Sequence, residues 1–282
     1  MQIYLKLSYS QNFDQKISIF VRLEITVNYN DMASLSNNEI KRIKALQQKK
    51  FRDESGLFIV EGEKMVEETL RSRFHVEAVY RRDEIGEDAM KRISALSSPS
   101  PVLAVVRKPD DIYIDGTSTM SGLIPGKGLF LGLDEIRDPG NLGTILRVAD
   151  WFGIDAVFAA KGTVDVFNPK VVQATMGAIF RVRMHYVDLP AFARIFRSCG
   201  GSVYGTFLDG RDIYSSEIQT GQDKPSMVVI GNESEGISTA VEEHVNGRLY
   251  IPPYPADDPG SESLNAAIAT AITIAEFRRR TC

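Results

Sequence analysis

Three short polar segments carry residues able to orient or polarise a substrate. The first, Asp134-Glu-Ile-Arg-Asp-Pro-Gly-Asn-Leu-Gly-Thr-Ile-Leu-Arg147, leaves an apolar run, turns at Pro139-Gly140 and enters a helix. Asn141 falls where an N-cap belongs, and Leu142, Ile145, Leu146 and Ala149 form the apolar stripe. Gly143, Arg147 and Asp150 share another face, so either Gly143 leaves room for a ligand beside Arg147, or Arg147 simply pairs with Asp150. The second segment, Val228-Val-Ile-Gly-Asn-Glu-Ser-Glu-Gly-Ile-Ser238, ends an apolar run in a turn flanked by Gly231 and Gly236, with Glu233 beside a ligand expected at the strand end. The third, Tyr250-Ile-Pro-Pro-Tyr-Pro-Ala-Asp-Asp-Pro-Gly-Ser-Glu-Ser-Leu-Asn265, is stiffened by four prolines and delivers Ser263 and Asn265 to the start of a long helix. Taken singly, each has a structural explanation: a capped helix, an acidic first turn favoured by the helix dipole, and a second cap.

The elements that position these segments alternate. Strand-like runs at Leu129 to Leu133, Ala156 to Ala159, Phe180 to Tyr186, Val203 to Leu208, Met227 to Ile230 and Leu249 to Ile251 are separated by helical stretches, which predicts a mostly parallel sheet covered by helices. Upstream, a helix capped at Ser36-Asn-Asn-Glu39 and stopped by Gly56 precedes shorter alternating runs, predicting a small α/β domain over 32–118. Gly116 to Gly128, rich in Gly and Ser, reads as a linker whose core is 119–128, and the second domain spans 129–282. Residues 1–31 read as an extension, poorly ordered and ending just before Met32. Lys41, Arg42, Lys44, Lys49, Lys50 and Arg52 fall within twelve residues free of acidic side chains, a face suited to phosphates. A solvated helix face is the plainer explanation of such a run.

Composition narrows the chemistry. The chain has 282 residues, of which 43% are hydrophobic, and no apolar run long enough to span a membrane, so a soluble cytoplasmic protein is expected. Cys199 and Cys282 have no partners at metal-ligand spacing, and His75, His185 and His244 lie in no metal or triad signature, so no metal site is expected. A formal net charge of -4 does not decide the partner, because nucleic-acid binding needs only a local basic surface. Gly126 and Gly128 precede their strand instead of following it, which removes a dinucleotide fingerprint, and no Walker-type loop occurs.

Read in order, N-x-x-x-x-x-R, then G-N-E-x-x-G, then I-P followed by S-L-N at the last helix resemble the three motifs of the SpoU (TrmH) family of SPOUT methyltransferases, over roughly 129–280. Phe58-Ile-Val-Glu-Gly-Glu-Lys-Met-Val66 looks like the small RNA-binding domain often attached to that family. The resemblance implies an S-adenosylmethionine-dependent RNA 2′-O-ribose methyltransferase, a parallel α/β sheet with a C-terminal trefoil knot, and a homodimer whose site is completed across the interface. By motif position it makes Asn141, Arg147, Glu233, Ser263 and Asn265 active-site residues, and Gly231, Ile251 and Leu264 donor-site residues. The loop from Ile251 to Ser263 is longer than usual for the family and carries Asp257 and Asp258. The family assigns Arg147 the base, but a guanidinium stays protonated at neutral pH, which favours Arg147 as orienter of the ribose and phosphate. Ribosomal RNA is favoured over transfer RNA by the attached domain. A protein with this fold that binds RNA without turnover, or a base methyltransferase, are the other readings; the intact motif residues, and S-L-N with N-x-x-x-x-x-R, oppose them.

Overall fold

The computed structural model describes residues 35–215, 217–255 and 263–281; residues 1–34, with the expected extension and Met32, and Asp257, Asp258 and Cys282 lie outside the described residues. The chain starts with α1 (Asn37–Ala45), capped by the Ser36 hydroxyl, which accepts from the Glu39 backbone N–H at 3.2 Å. The single helix expected from Ser36 to Gly56 is two. After α1 the chain breaks and restarts as α2 (Lys49–Ser55), closed by Gly56 at φ 66°. The break has a local cause: the carbonyls of Leu46 and Gln47, which a continuous helix would pair with backbone N–H groups, accept from the Arg52 guanidinium at 2.9 Å each.

Next come β1 (Leu57–Glu61), α3 (Glu63–Arg71), β2 (Val76–Arg81), α4 (Arg82–Ile85), α5 (Glu87–Ile93) and β3 (Val102–Arg107). These strands form an antiparallel three-stranded sheet in the order β1-β3-β2. The Gly- and Ser-rich stretch expected to be a linker contains α6 (Thr117–Gly122), because Met120 is buried as α6 packs on a helix of the larger sheet.

The larger sheet comprises β4 (Leu129–Leu133), β5 (Ala156–Ala160), β6 (Met184–Val187), β7 (Ser202–Asp212), β8 (Ser226–Ile230) and β9 (Gly247–Tyr250), all parallel in the order β6-β5-β4-β8-β7-β9. Helices α7 (Pro139–Trp151), α8 (Pro169–Ala174), α9 (Leu189–Ser198), α10 (Thr239–Glu242) and α11 (Ala266–Arg279) cover it, with separate apolar cores on its two faces. The strand expected from Phe180 is shorter. Ala178–Phe180 forms a 3-10 turn, and Phe180 meets Phe74 edge-on at 5.4 Å between ring centres instead of extending into the sheet. From β4 the chain proceeds to β5 on one side, whereas from β8 it proceeds to β9 on the other. The crevice between the carboxyl ends of β4 and β8 is therefore the topological switch point, where ligands of open parallel sheets bind.

The two sheets are fastened together. Phe58 of β1 lies 4.6 Å from Phe167 between ring centres, and the Gln173 side-chain amide of α8 donates to the Glu61 carbonyl at 2.8 Å. Arg52 and Asp165, both almost fully buried, form an ion pair at 2.6 Å.

Candidate active site

Each motif reaches the switch-point crevice by a distinct local route. At the end of β4, Asp134 is buried and its Oδ2 accepts from the Ser238 backbone N–H at 2.7 Å, drawing the turn after β8 toward β4. Asn232 works in the same direction: its side-chain amide donates to the Glu135 carbonyl at 2.9 Å, while its Oδ1 accepts from the backbone of Ser234 and Glu235. Asn232 and Gly236 exchange backbone hydrogen bonds at 3.0 and 2.9 Å. A Cβ on Gly231 would stand 2.3 Å from the Gly236 carbonyl carbon, so Gly231 is demanded by the turn itself. Asp134 and Asn232 were not singled out from the sequence; a carboxylate directly after an apolar run, and an Asn beside Gly231, were the available signals.

Three motif residues then join in one chain. The Asn141 side-chain amide donates to Glu233 Oε1, and its Oδ1 accepts from the Asn265 amide at 2.8 Å. Asn265 is itself the N-cap of α11, its Oδ1 accepting from the backbone of Ala267 at 3.0 Å and Ile268 at 3.3 Å. Asn141 is not a cap. Asp138 fills that position, its Oδ1 accepting from the Asn141 backbone N–H at 2.8 Å, because Pro139 begins the helix and displaces the cap upstream. Asn141 is thereby freed to spend its side chain on Glu233 and Asn265.

Arg147 stands outside this chain, six residues and therefore roughly 9 Å further along the axis of α7. It is exposed and forms no hydrogen bond or ion pair among the described residues. Asp150 does not pair with it, because Arg181 holds Asp150 at 2.8 Å. Nor does Gly143 open space for a ligand: a Cβ there would come 2.3 Å from that of Ala174, so the glycine lets α7 and α8 touch. Ser263 is exposed, Ile251 is half-buried against the core, and Leu264 is 46% exposed.

The basic face expected from the sequence is split. Lys41, Arg42 and Lys44 are exposed on α1, whereas Lys49 pairs with Asp53 at 2.5 Å and Lys50 approaches Glu54 at 3.9 Å. Arg52 is 1% exposed and committed to Asp165, Leu46 and Gln47, so it cannot meet a phosphate. Acidic residues one turn after each lysine neutralise the second half of the run. Among the described residues there is no cluster of His, Cys, Asp or Glu able to hold a metal ion.

A parallel α/β sheet with a small antiparallel sheet attached, and a hydrogen-bonded polar cluster at the switch point, defines the class of protein. Residues 128–275 match the model of the SpoU rRNA Methylase family, and residues 37–105 match that of the MRM3-like substrate binding domain. The 23S rRNA (guanosine(2553)-2'-O)-methyltransferase RlmP of Bacillus subtilis is 31% identical, with 87% of this chain and 98% of that protein covered. A TrmH-family structure from Porphyromonas gingivalis is 38% identical with a TM-score of 0.76, covering 88% of this chain and all of the other. The AdoMet-bound rRNA methyltransferase of Sinorhizobium meliloti is 30% identical with a TM-score of 0.76, over 88% and 97% of the two chains. This chain belongs to the SpoU rRNA methylase family.

Proposed function

We infer that this protein transfers a methyl group from S-adenosylmethionine to a ribose 2′-hydroxyl of ribosomal RNA. The observation that carries the reading is the Asn141, Glu233 and Asn265 chain, which ties three separated segments together at the switch-point crevice. The family match and the AdoMet-bound relative support the donor, and the rRNA methyltransferase relatives support the substrate.

The residues suit such a donor. Half-buried Ile251 and open Leu264 offer apolar surface to an adenine and a thioether chain, and the tight turn at Gly231 offers backbone polar groups. When bound, S-adenosylmethionine supplies an electrophilic methyl on a sulfonium whose departure leaves a neutral thioether. The chain's own task is the weak nucleophile. Arg147 orients the ribose and its adjacent phosphate and stabilises the charge developing on the 2′-oxygen. The hydroxyl proton passes to that phosphate or to a water as the new C–O bond forms. Asn141 and Glu233 hold the loop geometry, Asn265 fixes the entry to α11, and Ser263 stands beside it.

Several finer points belong to the same proposal. The small α/β domain over 32–118 binds RNA through Lys41, Arg42 and Lys44 of α1; 119–128 connects it to a methyltransferase domain over 129–282, whose C-terminal part forms a trefoil knot. The working form is a homodimer in which Arg147 of one protomer serves the donor site of the other, consistent with its lack of partners among the described residues. A cytoplasmic location goes with the substrate. No helix among the described residues is long and apolar enough to cross a membrane.

Tritiated methyl transfer to ribosomal RNA from cells lacking the gene, followed by mapping of 2′-O-methyl positions, tests the reading. One ribose position should regain its methyl group. Methylation confined to transfer RNA, or to a base, would overturn it.

A further inference from the structure

A groove of about 430 Å³ separates the small sheet from α8, away from the switch-point crevice. Ile59 and Leu96 form one wall and Pro169 and Ala174 the other. The first wall falls within the match to the substrate-binding domain and the second within the match to the methylase. Ala174, in the wall of the groove, packs against Gly143, one turn before Arg147 on α7.

Its charges are distributed unevenly. Lys170 lines the rim, is exposed, and has no ion-pair partner among the described residues. Glu61 lines the inner end and is only 3% exposed; its Oε2 accepts from the Ala95 backbone N–H at 2.7 Å, whereas Oε1 has no partner among the described residues. The rim therefore attracts an anion. The inner end favours hydrogen-bond donors, because a buried carboxyl oxygen left unsatisfied gains from a donor that reaches it. Apolar walls, an attractive rim for phosphate and a donor-seeking end match a single nucleotide lifted out of its stack.

Building on the RNA methyltransferase reading, we propose that this groove receives one unstacked nucleotide of the substrate RNA near the target, with its phosphate at Lys170 and a base bearing an exocyclic amino group directed toward Glu61. A nucleotide supplies both the anion and the planar amino donor within a single residue, at the separation of phosphate and base. Gln173, which donates to the Glu61 carbonyl, keeps the inner wall in place.

Ala95→Trp tests the proposal by filling the groove from an exposed position, and Lys170→Ala by removing the rim charge. Both are studied in the full chain, with fluorescein-labelled uridine hexamers carrying a central guanosine, cytidine or uridine. The unmodified protein should bind the guanosine and cytidine hexamers several-fold more tightly than all-uridine. Ala95→Trp should abolish that preference and weaken the tighter pair by about tenfold, the scale of a lost base-stacking contact. Lys170→Ala should weaken all three and reduce the salt slope by about one phosphate contact. With unmethylated ribosomal RNA, both variants should raise KM and leave kcat and calorimetric S-adenosylmethionine binding unchanged. Equal affinity for all hexamers in the unmodified protein, or an Ala95→Trp variant with unaltered affinity and KM, would overturn the groove assignment while leaving the methyltransferase reading standing. Absence of methyl transfer by the unmodified protein would instead remove the reading on which it rests.

Discussion

Arg147 is an exposed cation without a partner among the described residues, on a helix whose nearby acid, Asp150, is engaged elsewhere. Such a group is held open for something that arrives. If it acts on the ribose, Arg147→Ala should keep S-adenosylmethionine affinity and lose methyl transfer by on the order of 100-fold, the scale of a removed charge-stabilising donor. Arg147→Lys keeps the charge without the planar fork, so recovery would show that charge suffices. Calorimetry beside a tritiated-methyl assay reads both, and wild-type turnover in Arg147→Ala would remove its catalytic role. Arg52 makes the opposite case. It belongs to a basic run by sequence, yet its buried pairing with Asp165 makes it structural. Arg52→Ala should destabilise the protein by about 3 to 5 kcal/mol, because Asp165 is left as an uncompensated buried charge. Urea unfolding measures this, and Asp165→Asn in the same chain should recover part of the loss. A variant with unchanged stability and weakened RNA binding would return Arg52 to the RNA face.

At the scale of elements, what was legible in the sequence followed from local pattern. The buried stripe of Leu142, Ile145, Leu146 and Ala149 and the parallel strands β4, β5 and β8 read directly from periodicity. What was not legible turned on individual residues and not on pattern: the break between α1 and α2, made by Arg52; the role of Gly143, set by the distant Ala174; and the cap of α7, decided by Pro139. The site residues emerged as an ordered set of motifs, but the hydrogen bonds that join Asn141 to Glu233 and Asn265 span long stretches of chain that no periodicity encodes. The end of α11 shows the same limit. Its basic triplet looks like a nucleic-acid handle, but Arg278 donates to the Phe152 carbonyl at 2.8 Å, Arg280 to that of Ile213 at 2.7 Å, and both Arg279 and Arg280 hold Glu276. The Arg279 guanidinium first, then Arg280, against the opposing effect of burial, lower the Glu276 carboxyl from 4.5 to about 2. A depressed carboxyl contributes stability that is full above its unfolded value and is lost as pH falls through the folded one. The latch on α11 should therefore weaken between pH 4.5 and about 2. Urea midpoints at pH 7, 5 and 3 should fall more steeply for the natural protein than for Glu276→Gln, which should already be less stable at pH 7. Parallel slopes would show that Glu276 contributes nothing to acid sensitivity.

For the whole molecule, α11 presents a surplus of apolar surface. One side buries Ala266, Ala267, Thr270, Ile274 and Phe277 against α7 and the sheet, but the other carries Ile268, 50% exposed, with half-buried Ile272 and Ala275, and Leu264, 46% exposed, stands just before its cap. Trp151, 85% exposed, ends the helix on which α11 packs. An exposed apolar face on a helix already packed along its other side calls for cover, and pairing about a twofold axis would bury that face on both protomers. Light scattering should report twice 31.3 kDa, and Ile268→Glu should give a folded monomer with little methyl transfer. The sharper test mixes two inactive variants, Arg147→Ala and Gly231→Val, the second chosen because a side chain at Gly231 would meet the Gly236 backbone. If each site draws Arg147 from one protomer and the Gly231 turn from the other, random reassortment restores one intact site in half of the dimers, or about a quarter of full activity. If each protomer is self-sufficient, every site in the mixture stays broken and no activity returns. A fully active protein of 31.3 kDa would defeat the dimer altogether.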